Sequence, residues 1–224
     1  MRSIGDHRKV CLLYSKAVFV SDVGRTMNRL ELDAIVAQSV DLDLLLASLD
    51  TKCQNLSHLV IESNKCTDLS LLDNISSSLK TLKLTVNPYK CDLKLIAKFK
   101  SLTCLSISNA SSISDIIGNS ECTILSGIFS LGNLETLTLE GFKALKLIAI
   151  GARSGKLVHL KQIALRRMMD YSLEHVRLVA SKLTCLQYFE IDDTYDLLNE
   201  IDDIFFSLSA SFENIFFTSL PLLP

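Results

Sequence analysis

Residues 132–142, GNLETLTLEGF, alternate Leu137 and Leu139 with Thr136, Thr138 and Glu140. That two-residue period is the pattern of a strand with one buried face and one wet face. Leu134 stands three residues before Leu137, and Phe142 three after Leu139. A lone strand has no use for those outer apolar positions. The stretch therefore reads as one copy of a frame, L-x-x-L-x-L-x-x-(apolar), and the fold turns on whether that frame returns.

It does. Upstream, Leu56, Leu59 and Ile61 fill it with Asn64 in the last place, and Leu79, Leu82 and Leu84 with Asn87 there; Leu102, Leu105 and Ile107 follow. Downstream come Leu160, Ile163, Leu165 and Met168, then Leu186, Phe189, Ile191 and Thr194, then Phe212, Ile215, Phe217 and Leu220. The second positions fall at 59, 82, 105, 137, 163, 189 and 215, in steps of 23, 23, 32, 26, 26 and 26 residues. Met27, Leu30 and Leu32 make a weaker earlier copy, and Val18 and Val20 suggest another.

In this frame the two inner apolar residues of each x-L-x-L-x segment point to one side of a short strand. The remainder must carry the chain back to the next strand. Segments 92–99 (DLKLIAKF), 171–183 (YSLEHVRLVASKL) and 195–208 (YDLLNEIDDIFFSL) space apolar residues by three and four, as amphipathic helices do. One such unit is too small to bury its own apolar face and must stack on its neighbours. The 32-residue step is read as a loop or extended helix at one edge of the array.

With this frame and these steps the chain resembles the leucine-rich-repeat family, whose repeats run L-x-x-L-x-L-x-x-N/C-x-L over 20–29 residues. The resemblance covers residues 56–220. It implies an α/β fold: a curved solenoid of strand–helix repeats with a parallel sheet on the concave face. Residues 1–224 then form one domain, with irregular repeats or a cap over 1–55 and seven recognisable repeats over 56–220.

Composition agrees with a folded, water-exposed protein. Of 224 residues, 48% are hydrophobic and 21% charged, with only 8 glycines and 3 prolines, which excludes a disordered chain and disfavours a turn-rich β-sandwich. No apolar run reaches the length of a membrane span. The opening MRSIGDHRKV-CLLY offers no signal-peptide apolar region. Seven scattered cysteines without a C-x-x-C pair point to free thiols in the cytoplasm or nucleus, with secretion disfavoured. Glycosylation triplets at Asn55, Asn74 and Asn109 point the other way.

Chemistry-bearing motifs are few. GARSGKL (151–157) has three residues between its first glycine and Gly-Lys where a phosphate loop needs four, so it reads as a loop before a strand. His7, His58, His159 and His175 lack metal-ligand spacing, and the pairs Asp192–Asp193 and Asp202–Asp203 sit in an acidic tract rather than a pocket. Cys104, outward on its strand, reads as the most reactive thiol, but no base accompanies it. No cofactor, metal or small-molecule substrate is expected, and the reading is non-enzymatic.

Binding is expected on the concave face, where the residues flanking each inward pair project. The rows are His58, Val60 and Glu62; Thr81, Lys83 and Thr85; Cys104, Ser106 and Ser108; then Thr136, Thr138 and Glu140. Gln162, Ala164 and Arg166 follow, then Tyr188, Glu190 and Asp192, then Asn214, Phe216 and Thr218. The candidate partner-binding set is Thr138, Glu140, Gln162, Arg166, Tyr188, Glu190, Asp192 and Phe216, since Arg and aromatic residues anchor interfaces. Replacing Arg166 and Tyr188 by alanine is expected to abolish partner capture and leave the fold intact.

Charge is segregated. From Leu183 onward there are eight acids and no base, whereas 143–182 carries nine Lys/Arg against Asp170 and Glu174. The two blocks either steer a partner or neutralise each other between repeats. Nucleic acid is not expected, because the basic block lacks interleaved aromatics and lies beside the acids.

Within the family, the 26-residue steps and YSLEHVRLVASKLTCLQYFEID (171–192) are similar to the arrays of F-box/leucine-rich-repeat proteins, which present substrates to ubiquitin ligases. No F-box segment is seen before the repeats. The resulting expectation is a protein-recognition module. The alternative is a scaffold subunit docked through its apolar C-terminal end, where five of ten phenylalanines fall between 205 and 217 and the chain reads LPLLP.

Overall fold

The structure, a computed structural model, describes residues 27–32, 53–62, 72, 75, 78–86, 93–109, 126–167, 172–192 and 214–218. Eight strands form one sheet: β1 (Arg29–Leu32), β2 (His58–Glu62), β3 (Thr81–Val86), β4 (Cys104–Asn109), β5 (Thr136–Glu140), β6 (Gln162–Arg166), β7 (Tyr188–Asp192) and β8 (Asn214–Thr218). They lie side by side in chain order, every pair parallel. The architecture is therefore α/β with an all-parallel sheet, and each strand returns to pair with its predecessor.

Register explains why the frame recurs. Leu30, Leu59, Leu82, Leu105, Leu137, Ile163, Phe189 and Ile215 pair in one continuous row across the sheet. Those from Leu30 to Phe189 are buried, as is the second row from Leu32 through Ile61, Leu84, Ile107, Leu139 and Leu165 to Ile191. The leading positions Met27, Leu56, Leu79, Leu102, Leu134, Leu160 and Leu186 are buried too, and so is Phe142 in the closing position. A slip of one residue would turn each such pair outward, so burial itself locks the register. The weak copy at Met27 is a genuine row, paired through β1.

Two backbone features repeat with the frame. The carbonyls of Asn28, Ser57, Lys80, Thr103, Glu135 and Lys161 each accept two successive N–H groups of the following row, at 2.7–3.0 Å. The N–H groups of Leu56, Leu102, Leu134, Leu160 and Leu186 donate to carbonyls three residues earlier, on Cys53, Phe99, Leu131, Leu157 and Leu183. Those five residues are buried as well. The frame thus has an additional apolar place, three residues before its first leucine, that the consensus does not contain.

The return segments differ. Helix α1 (Leu145–Arg153) buries Leu145, Ile148, Ala149 and Ala152, an i, i+3, i+4, i+7 stripe, and packs against α2 (Leu173–Lys182), which buries Val176, Val179 and Ala180. Gly151 leaves room for the Phe129 ring: a Cβ built on it would stand 2.3 Å from that ring, which would have to shift. The segment GARSGKL is accordingly not all loop, because its first three residues complete α1. The expected α-helix over 92–99 is a 3₁₀ helix, Leu93–Lys98. Its row has 23 residues rather than 26, and 3₁₀ geometry covers about 2.0 Å per residue against about 1.5 Å for an α-helix. Fewer residues span the return path by winding more tightly. The expected helix over 195–208, the copy at Val18 and Val20, residues 110–125 of the long step, the closing positions Asn64 and Asn87, and the terminal LPLLP lie outside the described residues.

Candidate functional site

The residues between the inward pairs occupy the opposite face of the sheet. His58, Val60 and Glu62, Cys104, Ser106 and Ser108, and Thr136, Thr138 and Glu140 are all partly accessible, alternating with buried neighbours. Across the strands Thr138 aligns with Ser106 and Ala164, and Gln162 with Thr136 and Tyr188. Gln162 is exposed and Thr138 half-buried. Of the expected site residues, Asp192 and Phe216 hold their places in the register, Phe216 opposite Glu190; their side chains lie outside what is described.

Two members of this face do not follow the outward rule. Ala164 and Glu190 are each only 7% exposed, although both stand on outward positions and pair in register. Alanine leaves room at its position, and Glu190 is closed over by its partners. Arg166 donates from Nε to Glu190 Oε1 at 2.7 Å and from Nη2 to Oε2 at 3.1 Å, a two-point fork. The Tyr188 hydroxyl donates to Oε2 at 2.8 Å. The Arg166 bonds hold the Glu190 carboxyl below the usual carboxylate range, against the opposing effect of burial, with Tyr188 assisting. The same contacts raise Arg166, and the bond to Glu190 raises the Tyr188 phenol.

This changes the part played by three expected site residues. Arg166 and Tyr188, expected as interface anchors, both bond to a buried acid. Removing both would leave Glu190 without these donors, and an unsatisfied buried group costs about 1–3 kcal/mol or more when charged. Their double replacement by alanine is thus not neutral for the fold.

A second cluster gathers where β2 to β6 end. A cleft of about 370 Å³ is lined by Glu62, Lys83, Thr85, Ser108, Asn109, Glu140 and Arg167. Lys83 Nζ donates to Glu62 Oε1 at 2.7 Å. Glu140 accepts from Ser108 Oγ at 3.0 Å and, on its other oxygen, from Arg167 Nη1 at 3.4 Å. The wall behind is built by backbone. Gly141 N–H donates to the Arg166 carbonyl at 2.8 Å, and the buried Asn109 Nδ2 donates to the Gly141 carbonyl at 3.0 Å. Gly141 has φ +74, and a Cβ there would meet Asn109 Cβ at 3.2 Å. Arg167 is itself left-handed, φ 51, a conformation that costs a non-glycine residue roughly 1–2 kcal/mol. That turn returns its guanidinium to Glu140 on the preceding strand.

The sequence pattern places Glu140, Lys83 and Ser108 on this face, with only Glu140 in the candidate binding set, and gives Arg167 no place on it. Arg167 lies beyond the strand, so the alternating pattern assigns it no side. The signal available was the doublet Arg166–Arg167 at a strand end, where only one of the two can continue the alternation.

Cys104 is outward, as expected, and half-buried, and burial pushes its thiol up. Cys185 is the exposed thiol among the described cysteines, so the reactivity assigned to Cys104 belongs to Cys185. His159 lies just before β6 and His175 on α2. No group of three His, Cys, Asp or Glu among the described residues is placed to hold a metal ion. Asn109, one of the three glycosylation triplets, is 3% exposed with its amide nitrogen engaged, which closes that position to a glycan in the folded state. No helix among the described residues is long and apolar enough to cross a membrane. The basic block is divided: Lys146 and Arg153 on α1, Lys156 after it, and Arg177 and Lys182 on α2 are exposed on the return segments, whereas Arg166 and Arg167 belong to the strand side. The acidic run after Asp192 lies outside the described residues.

No family model and no curated protein matches the chain.

Proposed function

We propose that this chain is a leucine-rich-repeat solenoid that recognises a protein partner on the open face of its sheet, without catalysing a reaction. The observation that supports this reading best is the division of labour across each strand. From β1 to β7 the inward positions are apolar and buried, while the outward positions carry a varied set, partly accessible except at Ala164 and Glu190 and aligned in register from row to row. The backbone of such a face is fixed by strand pairing on both sides, so binding to it need not order the chain. The Arg166–Glu190–Tyr188 cluster adds a preformed polar feature at one end of it. Free thiols at Cys104 and Cys185 favour a reducing compartment, cytoplasmic or nuclear. A narrower role, substrate recognition for a ubiquitin ligase, rests on the 26-residue spacing and on the segment from α2 into β7.

Affinity capture with mass spectrometry tests the reading. Thr138→Arg with Gln162→Arg adds bulk and charge to the open face without touching Glu190, and Arg153→Glu with Arg177→Glu alters the helix side as a control. The first pair is expected to reduce recovery of captured proteins at least about tenfold, as loss of a central contact does, and the control to leave it unchanged. Loss with the control alone moves the surface to the helices. Ubiquitin-ligase adaptors among the captured proteins support the narrower role, and their absence removes it.

A further inference from the structure

We infer that the cleft at the strand ends is a carboxylate-binding subsite in which Arg167 supplies the fork. The inference rests on the reading of the open face as a protein-recognition surface and names the chemistry that one part of it takes. The contrast between two adjacent arginines carries it. In Arg166 the two-point edge is occupied, since Nε and Nη2 both donate to Glu190, although 46% of the side chain is exposed. Arg167 makes one long contact, Nη1 to Glu140 at 3.4 Å, and its side chain stays 42% exposed. Among the described residues its Nε and Nη2 donors meet no partner, and Arg167 lines the cleft, so the planar edge that binds a carboxylate at two points is unoccupied beside it.

The surroundings select the ligand. At about 370 Å³ the space admits a short stretch of peptide, and its lining is polar throughout, unlike the mostly apolar walls that hold drug-sized molecules. Lys83 adds a second cation and Thr85 and Ser108 add hydroxyls, while Glu62 and Glu140 bring the lining to neutrality. A doubly charged phosphate would meet two carboxylates in the same cleft. A singly charged, planar carboxylate matches the guanidinium edge, and the neighbouring N–H groups of a peptide can donate to Glu62. The left-handed backbone at Arg167 is part of the device, because a residue continuing β6 would project elsewhere. The carboxylate comes from an acidic side chain or from the end of a partner chain.

The experiment uses the full chain and three fluorescein-labelled pentapeptide pools with randomised flanks, read by fluorescence polarisation. The first has a central Glu and an amidated end, the second a central Gln and an amidated end, the third a central Gln and a free carboxylate. Binding at least about tenfold tighter for the first than for the second assigns a side-chain carboxylate, and the same preference for the third assigns a chain end; a factor of ten is modest for a charge-assisted fork. Arg167→Gly suits the left-handed backbone, so it keeps the fold, and it is expected to erase either preference. Equal binding of all pools, no binding of any, or a preference that survives Arg167→Gly overturns the inference. The broader reading fails separately, when Thr138→Arg with Gln162→Arg leaves partner capture intact.

Discussion

Glu190 is the residue at which recognition surface and stability meet. Its carboxyl is lowered by Arg166, so in the unfolded chain it binds a proton at a higher pH than in the folded one. The contribution is complete above the unfolded value, near the ordinary 4.3, and is lost as pH falls through the folded value. Urea midpoints are therefore expected to drop between pH 6 and pH 3, with a smaller drop in Glu190→Gln. Identical acid profiles for the two proteins would remove Glu190 from the ledger. A second expectation concerns thiols. Iodoacetamide at neutral pH should modify Cys185 well before Cys104, read by peptide mass spectrometry, because exposure favours the first and burial disfavours the thiolate of the second. Faster labelling of Cys104 contradicts the placement.

At the level of elements, the strands were legible and the returns only partly so. A strand of this sheet states its own register, because Leu137 and Leu139 are buried while Thr136, Thr138 and Glu140 are not. Helix α1 is not among the helices expected from the sequence, although Leu145, Ile148, Ala149 and Ala152 carry its spacing; Gly151 and the Gly-Lys that follows disguise its end as a phosphate loop. What favours glycine there is the Phe129 ring, a contact that no local pattern reveals. Gly151→Ala should consequently cost about 1–3 kcal/mol by overpacking, despite alanine's better helix propensity, and Phe129→Leu should recover part of it. A thermal melt of the single and double variants decides this; a stabilised Gly151→Ala would show that the ring yields freely. The 3₁₀ helix escaped the sequence for another reason: Leu93–Lys98 has helical spacing, and only the length of its row selects the tighter winding. The side-chain clusters were least legible, since Arg166 reaches diagonally to Glu190 and Arg167 reverses through a left-handed backbone.

For the molecule as a whole, the frame that returns through the sequence is the core. Leu137 lies in the middle of it, fully buried and paired in register with Leu105 and Ile163. Leu137→Ala should cost about 2–5 kcal/mol, and Leu137→Asp more, since it buries a charge with no counterpart. Hydrogen exchange should show protection lost first in β4, β5 and β6, as expected where each row leans only on its neighbours. A sheet that stays uniformly protected in Leu137→Asp would mean that the row is not the unit of stability. The separation of inner from outer positions also bears on how such a protein can change. Along most rows, the letters presented to a partner can be rewritten without disturbing the spine on which they are printed. Beside Ala164 and Glu190 the two are coupled, so a new specificity acquired there would arrive together with a weaker fold and would need a second substitution to restore it.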